Sequence, residues 1–93
     1  MAQQNFEINF IITTAEIASK GGRQTIKSVL LNTKKTNPRR ETLFEITDVI
    51  FNDGDKDKNQ EVIRISGNGF PDNFPKNYNL ESGVKAEVES FLK

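Results

Sequence analysis

Three aspartates at alternate positions, Asp53, Asp55 and Asp57, stand where an EF-hand loop places its first calcium ligands. The match stops there. The sixth loop position, where the sharp turn needs glycine, is Lys58, and the twelfth, where a bidentate glutamate belongs, is Arg64. Lys56 and Lys58 put positive charge between the carboxylates, so the segment reads as a solvated hairpin tip. Gly67-x-Gly69 follows a predicted strand but lacks the third glycine of a dinucleotide fingerprint, and Pro71 comes at once. The pairs Glu41/Glu45 and Glu87/Glu89 have same-face spacing on strands and read as solvent-facing charge rather than a glycosidase pair. The chain of 93 residues holds no histidine and no cysteine. That excludes disulfides, a zinc finger, a cysteine nucleophile and a Ser-His-Asp triad. The expectation is a protein that is not an enzyme and needs no cofactor and no metal.

Basic residues are the feature that remains. Net charge is zero, yet residues 1–40 carry seven Lys/Arg against two Glu, and residues 41–93 carry six against eleven Asp/Glu. Such asymmetry suggests a side that faces a polyanion. Arg23, Lys27, Lys34, Lys35, Arg39 and Arg40 are the candidate nucleic-acid-binding cations. Arranged as a stripe they would follow a phosphate backbone, with affinity drawn largely from counterion release. Single-strand binders also need aromatic platforms for the bases. Phe6, Phe10 and Phe44 read as core, which leaves Phe51, Phe70, Phe74, Tyr78 and Phe91 for partial exposure, and of these Phe51 and Tyr78 are the candidates for stacking.

The elements that must position these residues emerge from periodicity. From Phe6 the chain alternates, with Phe6, Ile8, Phe10 and Ile12 on one side and Glu7, Asn9, Ile11 and Thr13 on the other, which predicts a strand over 6–17. A short helix over Thr14–Ser19 competes at its end. Gly21-Gly22 marks a turn. Gln24–Thr33 reads as a second strand with Ile26, Ser28 and Leu30 on one face and Lys27, Val29 and Leu31 on the other. Lys34 to Arg40, with Asn37-Pro38, breaks it. Glu41–Phe51 is the third strand, with Phe44, Ile46 and Ile50 sharing a face, and Glu61–Ser66 the fourth. Asn68-Gly69 reads as a turn, and residues 67–83 as irregular, pinned by Phe70, Phe74, Tyr78 and Leu80. A last strand comes after Gly83, with Val84, Ala86 and Val88 inward. Residues 1–5 are expected to be loose and residues 1–93 to form one β domain.

Five strands with polar connections predict an all-β fold, a small five-stranded Greek-key barrel of OB type, because closure removes the aggregation-prone edges. A two-sheet β-sandwich is the alternative. The long first strand, the Gly21-Gly22 turn, the basic second strand and the stretch from Leu80 to Val88 resemble OB-fold single-stranded-DNA-binding proteins, including the short ones of phages and mobile elements. The resemblance implies a sequence-tolerant binder of single-stranded DNA or RNA. A second function, from another class, is a small protein–protein interaction module or inhibitor of phage or mobile-element type. It would use the outward Val29/Leu31 pair and the Phe70–Leu80 segment, and would permit a homo-oligomer through an exposed strand edge. No signal peptide or membrane span is visible, so no membrane partner and a cytoplasmic location are expected.

Overall fold

The computed structural model describes residues 4–70 and 79–93. Gln4–Thr13 forms β1, in which Phe6, Ile8 and Ile12 are buried, Phe10 is half-buried, and Glu7, Asn9 and Ile11 are exposed. The strand therefore ends before the 17 expected, and the competing helix takes over as α1, Thr14–Ser19. A capping box fixes the switch. Thr13 Oγ1 accepts from the Glu16 N–H at 3.1 Å, and Glu16 Oε2 accepts from the Thr13 N–H at 3.4 Å. Gln4 and Asn5, expected to be loose, belong to the strand.

Gly21 and Gly22 do make the turn, at φ of 94° and 96°, a region closed to most other residues. The segment after this turn is not a strand. Arg23–Leu31 is a helix, α2, with Ile26 and Leu30 fully buried and Ser28 between them exposed. The four-residue interval between the buried pair is one helical turn, and it overrides the two-residue row on which the strand reading rested. The last predicted strand fails in the same way. Leu80–Leu92 is a helix, α3, with Leu80, Val84 and Val88 buried at four-residue intervals and Ala86 exposed. Asn79 starts it, its Oδ1 accepting from the Ser82 N–H at 3.0 Å. The valines carry a small propensity penalty in a helix, which burial of the stripe outweighs.

The strands that remain are β1, β2 (Lys34–Thr36), β3 (Thr42–Asp53) and β4 (Gln60–Gly69). Among the described residues they form one open antiparallel sheet of four strands in the order β1-β4-β3-β2. The five-stranded Greek-key barrel and the two-sheet sandwich are both corrected by this topology: two of the five predicted strands are helices, and a sheet this short has no strand to bring its edges together. α2 packs on β3, and α3 lies along β1. The apolar rows of β1, β3 and β4 meet these helices in one cluster built around Phe44, Ile63, Ile65, Ile26, Leu30 and Val84. Leu43 is buried as well, but outside that cluster.

Two local features set which residues face the helices. The β3–β4 register shifts between Ile46 and Asp48, and the extra residue of such a bulge reverses the alternation beyond it. Phe44 and Ile46 are thus buried before the shift and Val49 after it, while Ile50, expected to share their face, is 38% exposed on the other. Phe51 consequently turns inward and is packed, half-buried, against the core. The second feature is Gly67, paired with Phe6 on one side and Ile46 on the other. A Cβ here would run into the Phe6 ring and the Glu45 carbonyl oxygen. Asn68-Gly69, expected as a turn, stays within β4, where Leu80 covers Gly69.

Candidate functional site

The structure distributes the candidate cations over several surfaces. Arg23 opens α2 and points down to the end of the β3–β4 hairpin, where its Nε and Nη2 contact Glu61 Oε1 at 2.9 and 2.7 Å. Glu61 is the buried charged residue of the core's edge. The hydrogen bond from Arg23 and then the opposite charge raise the guanidinium pKa above its ordinary value. This pair ties α2 to the sheet. Lys27 lies one turn further along α2, in the helical layer and exposed.

Lys34 and Lys35 alternate across the sheet. Lys34 stands opposite Glu45 on the face away from the helices. Lys35 stands opposite buried Phe44 and reaches Glu87 of α3, Nζ to Oε1 at 3.0 Å. Arg39 and Arg40 sit in the tight connection between β2 and β3. There the Asn37 side chain accepts from the Arg39 and Glu41 N–H groups, and Arg40 adopts φ of 65°. Lys34, Arg39 and Arg40 are thus brought to one corner, while Arg23, Lys27 and Lys35 are not part of it. Phe51 faces the core rather than a ligand, and Tyr78 lies outside the described residues. Among the described residues, the exposed large apolar side chains are Ile11, Val29, Leu31 and Ile50, none of them aromatic. Val29 and Leu31, expected as a patch, flank the buried stripe of α2 from opposite sides, being two residues apart on a helix.

The hairpin tip is self-satisfied. Asp55 Oδ1 accepts from the Asp57 N–H at 3.0 Å and caps a single 3-10 turn, Lys56–Lys58. Among the described residues no group of three acidic, histidine or cysteine side chains is placed to hold a metal ion. No helix among them is long and apolar enough to cross a membrane.

What the fold does assemble is a sheet face free of helices among the described residues. The registers put Asn5, Glu7, Asn9, Ile11 and Thr13 of β1 on it, beside Asn68, Ser66, Arg64, Val62 and Gln60 of β4. Across that face Ile11 pairs with Val62, and Ile50 lies diagonal to Val62 through its own partner Arg64. Ile11 is 70% exposed and Ile50 38%, with Val62 half-buried between them. Amides, Glu7, Asp48 and Arg64 surround this short apolar diagonal; Arg64 Nε lies 3.8 Å from Glu7 Oε1. A shallow cleft of about 420 Å³, lined by Asn5, Glu7, Thr47, Ser66 and Asn68 together with Phe6 and Gly67, adjoins it at the bulge. Placing Ile11 in a polar row was the one hint the sequence held; Ile50 was hidden by the bulge.

The two edges of the sheet differ sharply. β2 is three residues long, carries Lys34 and Lys35, and shifts register between Lys35 and Thr36, the devices that keep an edge from pairing. β1 runs for ten residues in unbroken register with β4, with no proline and with Glu7 as its single charge. Among the described residues, no strand pairs with its outer side. In comparison with known proteins, no family model, no curated protein and no solved structure matches the chain.

Proposed function

We propose that this is a non-catalytic protein-interaction module that presents the β1 side of the sheet face opposite its described helices to another protein. The observation that carries the reading is the Ile11–Val62–Ile50 diagonal, exposed at both ends and rimmed by amides and charges, beside a ten-residue edge that no strand pairs with among the described residues. Apolar surface gathered in this way on a small domain marks a contact region, and an open edge supplies backbone hydrogen bonds to a partner strand. On the same face acidic Glu7, Glu45 and Asp48 outnumber Lys34 and Arg64, which disfavours a phosphate backbone.

A second reading, single-stranded nucleic-acid binding, is favoured by the corner of Lys34, Arg39 and Arg40, which no ion pair engages among the described residues. It no longer has the support of its element pattern, since the basic segment 24–33 and the Leu80–Val88 stretch that carried the OB-fold resemblance are largely helical. One experiment separates the two. A photo-crosslinking residue is placed at Ile11 in one variant and at Arg39 in another, and both are irradiated in expressing cells. The interaction reading expects discrete protein adducts from position 11 that disappear when Ile50→Asp is added, and none from 39. Nuclease-sensitive adducts from position 39, with none from 11, would replace it with the second reading.

A further inference from the structure

The proposed interaction surface has an edge whose chemistry is self-complementary. We infer that β1 pairs antiparallel with the β1 of a second copy of this chain, about a two-fold axis perpendicular to the sheet that passes midway between Asn9 and the partner's Asn9. The inference rests on the interaction reading and names the partner of its edge.

The faces restrict the register to pairings centred on a residue, and the charges choose among these. In an antiparallel pair, directly opposite residues share a face, so the pairing must oppose helix-facing residues with helix-facing residues. Centring the pair on Asn9 does this. It sets Ile8 against the partner's Phe10 and Phe6 against the partner's Ile12, which continues the buried row of each subunit into the other. On the open face it sets Asn9 against the partner's Asn9 and Glu7 against the partner's Ile11, so the one charge of β1 never meets its own copy.

The helical layer supplies a second, independent match. α3 runs along β1 in the same direction: Glu81, Ser82 and Lys85 border the groove beside Glu7, Ile8 and Asn9. Further on, Glu89, Leu92 and Lys93, with Glu16 of α1, border a groove of about 280 Å³ beside Phe10, Ile11 and Ile12. The two-fold axis falls between these groups and exchanges them. It brings Lys85 to the partner's Glu89 and Glu81 to the partner's Lys93, each twice, since a two-fold interface repeats every contact. Within one chain Lys85 and Glu89 already lie 4.0 Å apart on the same side of α3, so both face the edge together. The second groove is lined by half-buried Phe10 and Leu92, apolar surface that the partner would cover.

Sedimentation equilibrium of the full chain across the micromolar range tests this. A species of twice the 10.5 kDa chain mass is expected. Lys85→Glu and Glu89→Lys each turn the two symmetry-related Lys85–Glu89 attractions into repulsions and should weaken association roughly tenfold or more. The double variant restores the opposition and should recover the wild-type constant. Far-UV circular dichroism confirms that each variant is folded. The chain has no cysteine, so Asn9→Cys should form a covalent dimer on mild oxidation, whereas Thr13→Cys, set against Asn5, should not. A wild-type monomer at every concentration, or single charge variants that associate unchanged, would overturn self-association. If position 11 still crosslinks to another protein in that case, the interaction reading stands without it.

Discussion

Phe44→Ala should cost about 3–5 kcal/mol of folding stability, the usual range for emptying a buried phenylalanine site. Phe44 is 1% exposed and sits where three things converge: the row of β3 before the bulge, the edge-on ring of Phe6 with centroids 6.4 Å apart, and the helices above. Small domains commonly have only about 5–15 kcal/mol in total, so the variant should be close to unfolding at room temperature. Urea denaturation of the two proteins measures the difference, read from the midpoint with an unchanged slope. A loss below about 1 kcal/mol would mean that this position is not at the centre of the core. Phe10→Ala should cost visibly less. Sequence alone gives Phe10 the same standing as Phe6, but it is half-buried beside the groove at the β1 edge.

Gly67→Ala should also destabilise, by about 1–3 kcal/mol, against the simple expectation from chain entropy. Removing glycine from a strand interior normally helps by roughly 0.5–1 kcal/mol. At Gly67 the new methyl group would meet both the Phe6 ring and the Glu45 carbonyl oxygen. The ring can shift only into a filled core, and the carbonyl belongs to the neighbouring strand. The same denaturation experiment reads the sign directly. A stabilised variant would show that Phe6 does not lie over this strand, and with it that the β1–β4 register is misplaced.

How far the sequence reveals this fold depends on which residues are asked. β1 and β4 are legible because strict alternation over Phe6–Ile12 and Ile63–Ile65 has one physical cause, the pleat. β3 is legible in its extent but not in its faces, since a single inserted residue between Ile46 and Asp48 reverses everything after it and leaves no mark in composition. The helices are harder. Ile26 and Leu30, or Val84 and Val88, satisfy a two-residue period as well as a four-residue one, and β-branched valines favour the strand reading. What decides is whether the residue midway is buried, and Ser28 and Ala86 are not. Asn79 ahead of Leu80 and the glycine pair ahead of Arg23 are the helix-start signals that would have tipped the balance.

The cations show the same limit. Lys34 and Lys35 are neighbours in sequence and face opposite sides of the sheet, while Arg23 is occupied by Glu61, 38 residues away. A stripe inferred from sequence assumed that both connections flanked a single strand. With α2 in that place, the stripe breaks into a tether, a helical surface and a corner.

The proposed interaction depends on an open sheet whose β1 edge is free, and nuclear Overhauser contacts with backbone chemical shifts test it most directly. Helical shifts are expected over 23–31 and 80–92, together with cross-strand contacts in the rows Asn9–Arg64–Ile50 and Phe10–Ile63–Phe51. Extended shifts over 24–33 and 84–89, with contacts joining β1 to the segment 84–89 as a paired strand, would mean a closed barrel and remove the edge on which that interaction stands.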